Sequence, residues 1–279
     1  MKRIHVYLLV FFMIAAMTGC KKSALDNNGF LKPGRAYDLA VEGGFNTYTA
    51  AQYIRLTKPA LYPDSAPTPI SKASVVVNNG RVDLVYKETK TPGVYMATNN
   101  DDPNYNNAYT LTIKYNGKTY TAVDTLRQVV NIVDDFLPLS TRAIDSKTVE
   151  VTVPKHTFGY LNSNKWYISY KDLPTWHPSR FDQTKYYSYT HLLGSPNSLY
   201  PLNNLKRKFS LAKEDGVFIY KISLSENYAK YLYGVFMETD WSGLFSSVPV
   251  NVQGNVSGNT QGYFSANDID YKRYPAKDL

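Results

Sequence analysis

The 279-residue chain predicts a mostly-β fold, and three observations carry that expectation. Tyr 25, Phe 12 and Trp 3 bring the aromatic share to 14%, and with abundant Thr and Val these residues suit pleated, half-buried surfaces better than helices. Short runs of such residues recur at close spacing, separated by Gly, Pro and Asn. An apolar share of 43% against 19% charged supports a packed core and excludes a disordered chain. The length suits one large or two small domains.

Residues 1–19 read as a lipoprotein signal peptide. Lys2 and Arg3 make a basic start, and Val6 to Met17 is apolar but shorter than the roughly 20 residues a membrane span needs. The run ends in Met17-Thr18-Gly19-Cys20, where small residues before the only Cys resemble the bacterial lipobox. Cleavage there makes Cys20 the lipidation site, and several acyl chains at about 0.8 kcal/mol per buried CH₂ hold a protein firmly to its membrane. Residues 20–33 are polar and turn-prone, the composition of a tether.

Between 34 and 127, β-type runs cover Ala36–Val41, Tyr53–Lys58, Ala73–Val77, Arg81–Glu88, Gly93–Ala97, Ala108–Tyr115 and Lys118–Val123. Asn78-Asn79-Gly80 and Asn116-Gly117 supply the positive-φ residues of tight hairpins. Seven short antiparallel runs in about ninety residues predict an immunoglobulin-like sandwich without an intersheet disulfide. A second β-rich domain is expected over 128–266, with strands at Thr148–Val153, Lys165–Tyr170, Tyr186–Leu192, Val217–Ile222, Val248–Val252 and Gly262–Ala266. Ser223 and Glu226 have the spacing of a capping box, and Leu224, Tyr228, Tyr231, Leu232, Val235 and Phe236 share one helical face. One amphipathic helix is therefore expected near 224–238, and 267–279 reads as a polar tail.

The formal charge of +8 is diffuse, and Lys206-Arg207-Lys208 is its one tight cluster. It lacks aromatic interleaving or a helical array, so no nucleic-acid partner is expected. No G-x-S-x-G elbow and no H-E-x-x-H occurs, and His156, His177 and His191 are isolated. No catalytic residue, metal site or cofactor is therefore expected. Trp166 lies in a strand-like run and suits a core, whereas Trp176 and His177 sit in a proline-bounded loop. With Tyr186, Tyr187 and Tyr189 they form the candidate surface for a ligand or partner.

Several stretches together resemble one family. Gly34 to Val41, Ile70-Ser71-Lys72-Ala73-Ser74-Val75 leading to Asn79-Gly80, Pro92-Gly93-Val94-Tyr95, and the hairpin from Tyr109-Thr110-Leu111 to Tyr120-Thr121-Ala122 carry its first half. Ser223-Leu224-Ser225 to Tyr231-Leu232, then Pro249-Val250, Asn255-Val256 and Gly262-Tyr263-Phe264, carry its second. After a lipobox, this order resembles the domain of unknown function 4249 family of Bacteroidetes outer-membrane lipoproteins. The resemblance implies an outer-membrane lipoprotein with an immunoglobulin-like first domain and a role beside a TonB-dependent transporter. Asp64-Ser65-Ala66 also resembles the short O-glycosylation signal of these bacteria, with Ser65 as acceptor. Lys21-Lys22 follow Cys20 where surface-exported members carry acids, which leaves the face of the membrane open.

The reading is thus a non-catalytic lipoprotein of the outer membrane, an accessory or ligand-binding partner of such a transporter. A small molecule, a peptide or a glycan would suit the aromatic surface. A structural or adhesive envelope module, and an envelope hydrolase whose residues converge only in three dimensions, are the alternatives.

Overall fold

The first hairpins form as the turn chemistry requires. In a computed structural model of the chain, Asn116 and Gly117 have φ of 49° and 73° and join β7 (Ala108–Tyr115) to β8 (Lys118–Thr125) through a two-residue turn. Both residues in the left-handed region match the right-handed twist of the flanking strands. The structure describes residues 37–59, 66–154, 156–159, 163–170, 186–193, 206–239 and 252–279. The segments expected to be a signal peptide and a tether, with the expected modification sites Cys20 and Ser65, lie outside the described residues.

Tyr37–Pro59 and Pro67–Leu279 form one compact unit with two β lobes. Its first lobe contains β1 (Leu39–Asn46), β2 (Ala51–Lys58), the short β3 (Thr68–Pro69), β4 (Ser74–Asn78), β5 (Asp83–Glu88), β6 (Val94–Thr98), β7 and β8. The pairing order is β1-β2-β6-β5-β4-β7-β8, with β3 on β2. Only two residue pairs, Lys87↔Met96 and Glu88↔Tyr95, join β5 to β6, and there one sheet gives way to the next. Residues of β1, β2 and β6 on one side of that narrow junction and of β4, β5, β7 and β8 on the other pack into one shared core, as in an immunoglobulin-like sandwich. Alternation places Leu39, Val41, Ile54, Leu56, Val75, Val77, Leu111 and Ile113 in one core. Across it the rings of Phe45 and Tyr109 lie 4.6 Å apart.

The second lobe has two sheets. One is β14 (Lys206–Ala212), β10 (Thr148–Pro154) and β9 (Ser140–Ala143), in that order. The other runs β11 (His156–Gly159), β13 (Tyr186–Leu193), β12 (Asn164–Ser169), β15 (Gly216–Ser223) and β17 (Ile269–Pro275). Val149, Val151 and Val153 of β10 alternate inward against Trp166, Ile168, Val217 and Ile219. The outward Glu150 meets Lys208 at 3.1 Å and Arg142 at 3.3 Å.

Three expectations are corrected. The strand expected at Gly262–Ala266 is β16 (Thr260–Asn267), and it leaves the second domain to pair in parallel with β1 over eight residues, Leu39↔Thr260 to Asn46↔Asn267. Its Phe264 and Ala266 are fully buried in the first core. Just before it, Val256 bridges Ala122, and Ser257 N donates to Thr121 O at 2.7 Å. One C-terminal segment thus covers both open edges of the sandwich, where unpaired backbone would otherwise face solvent. Gly262 permits this contact: its φ is +85°, and a Cβ there would lie 2.0 Å from Val41 O. Second, the polar tail is not a tail, because Ile269–Pro275 pairs antiparallel with β15 from Gly216↔Pro275 to Ile222↔Ile269.

Third, the helix α1 (Glu226–Thr239) is capped by Ser225 and not by Ser223. Ser225 Oγ accepts from Tyr228 N at 3.0 Å, the N-cap geometry. Ser223 is still strand, and its Oγ accepts from Asp268 N at 2.8 Å. The strand expected at Val248–Val252 falls almost wholly outside the described residues. Among the described residues no helix is long and apolar enough to cross a membrane.

Candidate ligand-binding cleft

The chain crosses from one lobe to the other at Asn267-Asp268, where buried polar groups hold the passage. Asp268 accepts from Thr47 Oγ1 at 2.6 Å, Tyr105 OH at 3.2 Å and Val129 N at 2.8 Å. Asn267 Nδ2 donates to Ser223 O at 2.8 Å, and Asn267 Oδ1 accepts from Ser265 Oγ at 2.8 Å. Asp124 of β8 accepts from Ala266 N at 2.9 Å and Tyr263 OH at 3.4 Å. Burial raises the Asp124 carboxyl above its usual range, although hydrogen bonds from Ser225 and Ala266 N oppose the rise.

Beside this junction a cleft of about 380 Å³ opens between the lobes. Its first wall is the outer face of the β2-β1-β16 sheet, because alternation that sends Ile54, Leu56, Phe264 and Ala266 inward sends Tyr53, Arg55, Tyr263 and Ser265 outward. Its second wall comes from β12, where Trp166 and Ile168 face the core while Lys165 and Tyr167 face the cleft. The helix contributes Tyr228.

Tyr53, Tyr167, Tyr228 and Tyr263 put rings on the walls among polar and charged side chains. Tyr228 stacks on Tyr263 with centroids 4.8 Å apart and planes 24° from parallel, and Tyr231 lies 4.9 Å from the same ring. Lys165 Nζ stands 4.9 Å from the centroid of Tyr167, within cation–π range. Burial raises the phenol pKa of Tyr167, Tyr228 and Tyr263, so these rings stay neutral. Arg55 Nε pairs with Glu42 Oε2 at the rim, where their side chains are 32% and 54% exposed. No carboxylate of a described residue pairs with Lys165.

Comparison with known proteins adds little to this geometry. No family model and no curated protein matches the chain. Among solved structures it is similar to the FN1–FN3 domains of chicken CNTN1, at 11% identity and a TM-score of 0.24. That likeness covers 70% of this chain and 62% of the other, so the chain spans about three fifths of it.

Trp176 and His177 are outside the described residues. Tyr186, Tyr187 and Tyr189 lie in β13, whose backbone pairs them with Ser169, Ile168 and Trp166; the structure describes no more of them. Trp166 is buried in the second core, as its strand setting suggested. Among the described residues no group of three or more His, Cys, Asp or Glu is placed to hold a metal ion. Sequence reasoning missed Lys165 and Tyr167 as site residues. The alternation Lys165-Trp166-Tyr167-Ile168 already separates them from the core pair, but nothing local says what the outward face meets.

Proposed function

We propose that this protein is a non-catalytic, lipid-anchored component of the outer membrane that holds a ligand in the cleft between its lobes and assists a TonB-dependent transporter. The observation that carries the ligand-binding part is the aromatic cleft, which has the size of a small-molecule site and a few convergent polar groups. The anchor rests on the lipobox at Met17-Thr18-Gly19-Cys20, and the transporter on the family resemblance.

Affinity purification of the tagged, lipidated protein from detergent-solubilised outer membrane, followed by mass spectrometry, tests the partner. One transporter is expected at near-equal amount; recovery of the lipoprotein alone overturns the assignment. Cys20→Ala is expected to abolish the lipid label and membrane retention, and unchanged retention overturns the anchor.

A further inference from the structure

The cleft's charges are unevenly satisfied. Glu42 is neutralised by Arg55 at the rim, and the buried Ser265 and Asn267 bond each other. Lys165 differs. It is half-buried, its ammonium stands over the Tyr167 ring, and no described residue offers it an anion. Partial burial removes part of an ammonium's hydration, and a ring face restores only a fraction of it, so an incoming carboxylate gains a charge-assisted hydrogen bond at a low desolvation cost. The same cleft is lined by the stacked pair of Tyr228 and Tyr263. Ring stacks of this kind favour a flat partner in offset or edge-on contact. A volume of about 380 Å³ excludes a folded domain and suits one small molecule.

We infer that the cleft takes a small ring-bearing carboxylate, its carboxylate on Lys165 Nζ and its flat ring against the Tyr228–Tyr263 wall. The inference deepens the ligand-binding reading above and rests on it. The same chemistry is offered by a free aromatic acid or by the end of a short peptide finishing in an aromatic residue.

Calorimetric titration of the detergent-solubilised chain with 4-hydroxyphenylacetate, its neutral amide, N-acetyl-glycyl-tyrosine and glucuronate tests the assignment. The aromatic acid is expected to bind about 10- to 100-fold more tightly than the amide, the range of one charge-assisted hydrogen bond. Lys165→Met should bring the acid down to the level of the amide, Lys165→Arg should restore the preference, and Tyr228→Leu should weaken both ring compounds. Tighter binding of the peptide than of the free acid, lost in Lys165→Met, supports the assignment with a peptide end as the source. Equal affinity of acid and amide, or a preference that survives Lys165→Met in a variant with wild-type thermal unfolding, overturns the carboxylate site. In that case binding weakened by Tyr228→Leu leaves the cleft reading standing. Tighter binding of glucuronate than of the aromatic acid overturns the flat ring. Binding of none of the four compounds overturns this inference and, with it, the cleft as a small-molecule site, while the transporter question stays with the purification above.

Discussion

The two lobes are built from the same kind of strand but wired differently. In the first, β4 pairs β5 and β7 pairs β8 across short turns, yet the edge strand is closed by β16, which pairs Leu39 with Thr260. In the second, β10 pairs β14 from Thr148↔Ala212, β12 pairs β15 from Asn164↔Ser223, and β17 arrives last. Local hairpins form with little loop-closure cost, whereas distant pairings wait for the intervening chain to order. Local hairpins thus recur in the first lobe beside the longer-range β2–β6 and β4–β7 pairings and a remote edge strand, whereas in the second lobe β9–β10 is local and most other pairings span long stretches of chain. Because β16 and β17 are consecutive, one C-terminal stretch, Thr260–Pro275, completes both lobes, and damage to one is expected to reach the other.

The strongest way to break the comparison is Phe264→Ala. Phe264 is fully buried in the first core although it comes from the C-terminal segment. Its truncation should cost about 3–5 kcal/mol in denaturant unfolding, and fluorescence from Trp166 in the second lobe should follow the same transition. A second-lobe transition left at its wild-type midpoint would mean the lobes are independent.

Asp268→Ala is next. It strips an acceptor from Thr47, Tyr105 and Val129 at the crossing and should cost about 2–3 kcal/mol, since buried donors are left unpaired. A loss below about 0.5 kcal/mol in the same assay would show that water replaces the carboxylate.

Ser225→Ala should cost about 1 kcal/mol as a lost N-cap and speed hydrogen exchange at Tyr228 N, whose acceptor it is. Ser223→Ala should instead speed exchange at Asp268 N. If the two patterns are interchanged, the cap is misplaced.

The smallest effect concerns pH, and here the lobes differ in sign. Burial holds the Asp124 carboxyl above 3.8 in the folded protein. The native state then binds that proton more tightly, so the stability it contributes is present at low pH and is lost as pH rises through its folded value. Asp134 is lowered below 3.8, first by a hydrogen bond from Tyr274 and then by Lys272. Its contribution is present above 3.8 and lost as pH falls. Thermal unfolding followed from pH about 3 to 7 should show Asp124→Asn losing only the first slope and Asp134→Asn only the second.

How much was legible follows from this wiring. The Asn116-Gly117 turn, the alternation of Val149-Val151-Val153 and the apolar run of Val217–Ile222 all encode their own local geometry, and each became the expected strand or turn. Ser223 and Ser225 look alike in sequence, and only the pairing of β15 with β17 occupies the former and frees the latter to cap. Asp268 reads as a polar tail residue until three donors from three distant segments converge on it.

By itself the sequence determined the β class, the hairpins of the first lobe and the helix after Val217–Ile222, because periodicity and turn residues act over a few positions. Only the tertiary structure decided that β16 closes the first sandwich, that Asp124 and Asp268 are buried, and that Lys165, Tyr167, Tyr228 and Tyr263 share one cleft. A strand's face is written in its alternation, but its partner is chosen by which open edge and which core can accept it once the rest of the chain is in place.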